Sequence, residues 1–231
     1  LAGGPVAVHT FSTIDPSLRC VLNQKEGRLV YPGLALVTVT GPARSMFAAE
    51  RTALNLLGHL SGIATLTHQF AREIQDLPAK IYDTRKTLPG LRVLEKYAVR
   101  VGGGRNHRMG LHDAVLIKTN HLRAIAAPLE DVVRRAKRSQ RGRFIEVEVT
   151  TLREYQAALR AKPDAILLDN WTVGNIRKAV RLRAGSRPLL EVSGGVTLAN
   201  IRTIAQTGVD RISIGRLTHS APALDVSLRV S

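Results

Sequence analysis

From residue 79 onward, short apolar runs alternate with amphipathic stretches, and each run closes on polar residues. Lys80–Thr84, Ala114–Ile117, Phe144–Val149, Ala165–Leu168, Leu189–Val192 and a piece begun by Ile212 and Ile214 read as buried strands. Leu91–Val99, Leu129–Lys137, Leu152–Leu159 and Val173–Leu182 read as helices between them. Leu198, Ile201, Ile204 and Ala205 repeat with a helical period, with Thr197 as N-cap and Gly208 as stop. Strands spaced by helices of about 10–15 residues predict a parallel sheet. The polar closures are Thr84–Lys86, Lys118–Asn120, Glu148, Asp169–Asn170, Ser193–Gly195 and Gly215. So many separate polar strand ends predict a β/α barrel, whose site lies at its carboxyl face, over an open sheet with a single crevice.

The chain before residue 79 has a different texture. Val6, Val8 and Phe11 alternate, and Leu34, Leu36, Val37 and Val39 form a run closed by Gly41–Pro42. Residues 1–41 therefore read as a small strand-rich region with hairpin-like turns. Ala49, Ala53, Leu56, Leu57, Leu60, Ile63, Leu66, Phe70 and Ile74 share a helical face from about Ser45 to Leu77. A glycine inside a helix costs about 1 kcal/mol, so two helices joined near Gly62 are predicted. The expected division is a smaller α/β domain over 1–62 and a barrel over 63–217, with the tail 218–231 packing back on the first domain.

Composition narrows the chemistry. Of 231 residues, 34 are Lys or Arg and 18 are Asp or Glu, a formal charge of +16. That excess fits either nucleic acid or a pocket for a highly anionic small substrate. An aromatic content of 4% leaves few stacking platforms for single strands. Cys20 is the only cysteine, so no intrachain disulfide or cysteine metal cluster can form, which fits a reducing cytoplasm. No apolar run approaches the roughly 18 residues of a membrane span. The opening LAGGPVAVHTF has no Met and no signal-peptide pattern, and reads as a start inside a domain. Rossmann, Walker A, HExxH and GxSxG patterns are absent, and Gly102–Gly104 follows a helix instead of a strand.

The candidate chemistry sits at the strand ends. Arg85 and Lys86 in DTRKT, His107 and Arg108 in GGGRNHR, and Lys118 in IKTNH would together make a cationic cavity. Such a cavity must hold an anion, because unpaired buried cations are too costly, and Arg forks suit carboxylates and phosphates. Glu148 and Asp169 are the strand-end acids. They can hold Mg2+ with substrate phosphates, or pair with Lys118 and Lys86, and the two readings are compatible. Ser193, Gly194 and Gly195, with Gly215 and the nearby His219, form two successive glycine turns on one edge, a phosphate-binding arrangement of backbone N–H groups. Arg51, beside an apolar helical face, reads by itself as a surface arginine.

Six segments carry a resemblance: AERTALNLLGHLSGIAT (49–65), DTRKTLPGLRVLEKYAVRVGGGRNHRMGLHDAVLIKTNH (83–121), EVEV (146–149), ILLDN (166–170), EVSGGVTLANI (191–201) and GRLTHSAPALD (215–225). In order and spanning most of the chain, they resemble the quinolinate phosphoribosyltransferase family, also called nicotinate-nucleotide pyrophosphorylase (carboxylating). The resemblance implies an N-terminal α/β sandwich followed by an incomplete α/β barrel. It implies a cytoplasmic, Mg2+-requiring enzyme that joins quinolinate to phosphoribosyl pyrophosphate and releases CO2 to give nicotinate mononucleotide in NAD synthesis. It further implies a homodimer with shared sites, sometimes assembled to a hexamer, and no nucleic-acid or membrane partner. Arg51 would be supplied across the dimer to the quinolinate carboxylates, beside Arg85, His107, Arg108 and Lys118. Lys86 and Lys118 would serve both substrates, Glu148 and Asp169 the ribose and metal, and Ser193, Gly194, Gly195, Gly215 and His219 the 5′-phosphate. Thr119, Arg105 and Arg216 depart from the family's usual residues. The alternatives are a related phosphoribosyltransferase acting on another aromatic acid and a basic nucleic-acid-binding protein.

Overall fold

The computed structural model describes residues 1–183 and 185–230. In chain order the elements are α1 (Gly4–Ile14), β1 (Arg19–Leu22), β2 (Val37–Thr40), α2 (Ala43–Glu73), β3 (Lys80–Tyr82), α3 (Arg92–Val101), β4 (Ala114–Ile117), α4 (Thr119–Ile125), α5 (Leu129–Ser139), β5 (Phe144–Val149), α6 (Leu152–Ala161), β6 (Ala165–Asp169), α7 (Val173–Arg183), β7 (Leu189–Ser193), α8 (Ile201–Ala205), β8 (Arg211–Ser213) and α9 (Arg216–His219). They fall into two compact units. The first comprises 1–69, 86–104 and 216–231, and the second 70–85 and 105–215.

In the first unit β1 and β2 pair antiparallel, from Arg19↔Thr40 to Leu22↔Val37. Ala7, Phe11, Leu18, Ala49, Ala53 and Leu57 form the core beside them. Residues 4–14 are helical where strand was expected. Gly4, Ala7 and Phe11 are the buried positions, a three-then-four spacing that the alternation of Val6 and Val8 obscures, and Pro5 stands in the first turn. The Glu26 carboxylate accepts from the N–H groups of Gly3 and Gly4 at 2.9 and 2.8 Å, so the helix start is capped from a distant loop. The Tyr97 hydroxyl donates to the same carboxylate; burial and this bond push the phenol pKa up.

The second correction is α2, one helix of 31 residues instead of two. Gly62 does not break it, because the glycine accommodates another segment of the same unit. A Cβ at Gly62 would lie 2.1 Å from the Pro222 carbonyl oxygen, and one at Gly58 would lie 2.6 Å from that of Leu224. Leu224 N–H donates to the Gly58 carbonyl at 2.9 Å. The tail thus lies against the helix backbone where side chains are missing, and residues 86–104 also belong to this unit.

The second unit holds one parallel sheet in the order β3-β8-β7-β6-β5-β4. The central strands β5, β6 and β7 are largely buried on both faces, which is why they read as apolar runs. Outward positions such as Ile145, Val147, Ile166, Leu168, Leu190, Val192 and Ile212 are at most 2% exposed. The sheet curls. Arg211 on β8 rests 4.7 Å from the Phe144 ring on β5, three strands away, although adjacent strands in a flat sheet are about 4.8 Å apart. β3 and β4 are the edges of this incomplete barrel, and Arg105 pairs with Tyr82 on the outer side of β3.

Besides α1, two helices were not anticipated. α4 follows Lys118 directly, and α9 follows Gly215. The expected N-cap at Thr197 is also corrected: Asn200 caps α8, and its side chain accepts from Thr197 N–H at 2.8 Å and donates to the Gly195 carbonyl at 2.9 Å. Residues 197–200 are therefore a turn. Among the described residues no helix is long and apolar enough to cross a membrane.

Gly62→Ala is expected to lower unfolding free energy, since overpacking costs about 1–3 kcal/mol against a helix-propensity gain of about 0.5–1 kcal/mol. Gly174→Ala, where nothing lies within 4 Å, is expected to be neutral or stabilising. Urea denaturation of both variants checks the contrast; equal shifts would refute the tail-on-helix account.

Candidate active site

Registered partners on neighbouring strands point to the same face. The pairs Leu116↔Glu146, Glu148↔Leu167, Leu167↔Glu191, Glu191↔Arg211, Tyr82↔Ser213 and Asp169↔Ser193 put the polar strand residues on one side of the sheet. This is the inner face of the barrel. The opposite face is apolar and packs against helices. Every charged side chain within β5 to β8 of the second unit is thereby directed inward.

Toward the carboxyl ends this face carries two polar groupings. Lys118, extended at φ −99° and ψ 157°, reaches Glu148 with Nζ 3.2 Å from Oε2. Thr119 Oγ1 donates to Glu148 Oε1 at 3.3 Å, so the threonine that departs from the family pattern still serves the strand-end acid. On the next strands Ser193 Oγ donates to Asp169 Oδ1 at 2.6 Å, and Asn170 Nδ2 donates to Asp169 Oδ2 at 3.0 Å. Gly194 follows at φ +89° and packs on Asn170, whose Oδ1 would lie 2.1 Å from a Cβ there. Gly195, at φ +62°, has nothing within 4 Å of such an atom. Both glycines are exposed and in the left-handed region, so this strand end closes on an open glycine turn.

The loop after α3 brings the remaining cations. Asp83, fully buried, accepts from His107 N–H at 2.8 Å and from Asn106 Nδ2 at 2.5 Å. Arg105 completes the clamp, donating its N–H to Ile81 O at 2.8 Å and accepting from Asp83 N–H at 3.1 Å. Its side chain plays no part in this, which explains why an arginine is accommodated there. Arg108 Nη1 donates to the Ala114 carbonyl at 3.1 Å. Burial and then the neighbouring charge of Arg85 lower the Arg108 pKa, so Arg85 and Arg108 act as like charges in one region.

Beneath these lies a cluster that the sequence pattern left unassigned. His107 Nε2 is 2.9 Å from Glu146 Oε2 and 3.4 Å from Glu191 Oε1. Ser213 donates to Glu191, and Arg211 Nη1 lies 3.7 Å from Glu191 Oε2. Burial and the Glu191 charge push Glu146 up to about 7. Burial also pushes Glu191 up, but His107, Ser213 and Arg211 more than offset it and hold this carboxyl below its usual range. For His107 burial works downward, and the bonds and charges of the two carboxylates outweigh it and lift the imidazole to about 10. The available sequence signal was parity: Glu146 shares the strand face of Glu148, and a charge inside an otherwise apolar strand must face something polar.

The other predicted residues belong to the first unit. Arg51 is on α2 with its side chain 75% exposed, 4.0 Å from the Glu50 carboxylate. The Lys86 carbonyl accepts from Thr218 Oγ1 at 2.7 Å, and Leu88 N–H donates to the buried Glu95, which also bonds His59 at 2.8 Å. These contacts bracket the backbone that carries Lys86. His219 ends α9, its Nδ1 2.7 Å from Ser220 Oγ.

The quinolinate phosphoribosyl transferase C-terminal domain family matches residues 63–229, and the N-terminal domain family matches residues 1–61. The chain belongs to the quinolinate phosphoribosyltransferase family. It is 43% identical to a probable nicotinate-nucleotide pyrophosphorylase [carboxylating] of Synechocystis, covering 100% of this chain and 79% of that one. It is 46% identical to the nicotinate-nucleotide pyrophosphorylase [carboxylating] of Mycobacterium leprae, over 91% of this chain and 74% of that one. The crystal structure of NadC from Streptococcus pyogenes superposes with a TM-score of 0.93 at 38% identity, over 100% of this chain and 81% of that one. The nicotinate-nucleotide pyrophosphorylase from Francisella tularensis gives 0.93 at 40% identity, over 98% and 80%.

Gly194→Ala is expected to displace Asn170 and with it the neighbouring Trp171, whose indole N–H donates to Val149 O at 3.1 Å. Trp171 is the only tryptophan, so a red-shifted emission in the folded variant checks this directly. Unchanged emission would show that the turn tolerates a side chain.

Proposed function

We propose that this chain transfers the phosphoribosyl group of phosphoribosyl pyrophosphate to quinolinate, with loss of CO2 and pyrophosphate, giving nicotinate mononucleotide for NAD biosynthesis. The observation that carries this reading is the inner face itself. Its carboxyl end combines cations suited to a dicarboxylate acceptor with acids and an open glycine turn suited to a ribose phosphate. Family membership supplies the reaction that uses both.

The acceptor carries two carboxylates, and Arg85, His107, Arg108 and Lys118 form its binding set, with Arg51 reaching a neighbouring subunit's site in a homodimer. The outward exposure of Arg51 supports that role. Ser193, Gly194, Gly195, Gly215 and His219 hold the 5′-phosphate of the donor, and Lys86 and Lys118 neutralise charge shared by the two substrates. Placing the acceptor nitrogen in line with the ribosyl carbon needs no covalent nucleophile, and positioning accounts for much of the rate. As pyrophosphate leaves, the ribosyl carbon becomes cationic, and a fixed carboxylate at Glu148 or Asp169 opposes that charge without reorganisation. The new bond leaves the ring nitrogen positive. The electron pair of the C2–carboxylate bond then passes into the ring as CO2 departs, and C2 takes a proton.

Glu148 and Asp169 fit Mg2+. Both are hard oxygen donors at adjacent strand ends, and their present partners are hydroxyl, amide and ammonium groups that can yield or share an oxygen. Two carboxylates suit an ion that keeps several waters and binds mainly through substrate phosphates. When bound, Mg2+ neutralises the leaving pyrophosphate. We place the enzyme in the cytoplasm, as a dimer or a hexamer built from dimers.

The test is a mixture of protein, phosphoribosyl pyrophosphate, Mg2+ and quinolinate, with nicotinate in parallel as the acceptor lacking one carboxylate. Nicotinate mononucleotide and CO2 are expected from quinolinate only; no product from folded protein would overturn the reading, and product from nicotinate would reassign the acceptor. Arg108→Gln is expected to raise the quinolinate KM by about tenfold or more, because a charged two-point contact is lost. Initial rates at varied quinolinate measure it.

A further inference from the structure

The two carboxylates that hold His107, those of Glu146 and Glu191, have no part in the roles just described. Both carboxylates are at most 1% exposed, and Glu146 Oε1 has no hydrogen-bond partner among the described residues. Taking two carboxylates out of water costs several kcal/mol each, and an apolar pair of similar volume would fill the barrel more cheaply. Two such carboxylates meeting on one side chain point to a specific task for the group they hold.

That group is the His107 ring, which is engaged at both nitrogens. Nδ1 accepts from the Arg108 backbone N–H at 2.8 Å. The carboxylates favour a second proton on the ring, but this N–H excludes it from Nδ1 while the contact is kept. A pKa lifted to about 10 would by itself put protons on both nitrogens at neutral pH, but the Arg108 N–H aimed at Nδ1 decides for a ring that carries its proton on Nε2, facing Glu146 at 2.9 Å. The same tautomer argues against a divalent ion among the three side chains, although their donor atoms lie within 4.8 Å of one another. An ion on Nε2 requires a proton on Nδ1, where the Arg108 N–H already points. The remaining neighbours complete the cage: Arg211 pairs with Glu191 and lies 4.9 Å from the Tyr82 ring, which meets His107 edge-on at 6.5 Å.

We propose that Glu146 and Glu191 are positioning residues for the acceptor pocket: they hold the His107 ring from inside the barrel, and the ring holds the Arg108 backbone so that its guanidinium is presented to the acceptor. Besides lining the acceptor pocket, His107 thus serves the acceptor through Arg108. The proposal rests on the reading of Arg108 as an acceptor ligand.

Glu146→Leu removes the acceptor atoms at similar volume, and Glu146→Gln keeps one. Initial-rate kinetics on the full chain are expected to show the quinolinate KM raised about tenfold in Glu146→Leu, a magnitude typical of a slight misplacement. The phosphoribosyl pyrophosphate KM is expected within about twofold of wild type, and Glu146→Gln within about threefold on both. Nitrogen-15 NMR of histidine-labelled wild type at neutral pH is expected to show His107 with Nε2 protonated and Nδ1 bare, and Glu191→Gln to blur that tautomer. Equal effects on both substrates, or an unchanged quinolinate KM in folded Glu146→Leu, would overturn the proposal. So would a proton on Nδ1, or stoichiometric Mn2+ or Zn2+ retained by wild type and lost in Glu146→Leu. Should Glu146→Leu fail to fold, Glu191→Gln and the wild-type tautomer decide. Wild type inactive on quinolinate would overturn the functional reading and the acceptor part of this one, while the NMR result tests the ring geometry independently.

Discussion

The register of the parallel ladder is the constraint on which the second unit depends. Because side chains alternate with a period of two, pairing Glu148 with Leu167, Leu167 with Glu191 and Glu191 with Arg211 sends all of them inward together. A slip of one residue in β5 or β7 would bury Glu146 and Glu148, or Glu191, against the helices and turn Ile145 or Leu190 into the barrel. The penalty for an unpaired buried charge makes that slip costly, so the charges needed for binding also enforce the pairing. Curling then brings a side chain from three strands away into contact, which allows Arg211 to lie against Phe144 as well as against Tyr82 on the adjacent strand.

Most of the barrel was legible in the chain because its strands are doubly buried and end on polar residues. Ala114–Ile117 and Phe144–Val149 have the expected bounds, and the other strands differ by a residue or two. The first 14 residues were not legible: short apolar spacing fits both periods, and the cap that decides for helix is Glu26, remote in sequence. Gly62 was misread for a related reason. Local propensity marks a break there, and only the tail, 160 residues later, shows why the glycine stays helical.

The site divides in the same way. Lys118, Glu148, Asp169 and Ser193 were legible because strand ends are marked by the switch from apolar to polar. Asp83 and Glu191 were seen only as parts of motifs, since their work is done through contacts with loop 105–108 and with β8. Arg51 has no local signal at all: its proposed role depends on a second copy, and a single chain presents it as an ordinary surface arginine.

The contact of the tail with α2 has a consequence for how this chain can vary. Leu224 and Pro222 place main-chain carbonyls where Gly58 and Gly62 lack side chains, so the tail supplies the bulk that the helix omits. A shorter relative that dispensed with these residues would carry two bare glycines in mid-helix, free to be replaced by alanine at once. One that keeps the tail can replace neither. The glycines and the tail should therefore be inherited together, as a pair of features that natural variation gains or loses in a single step.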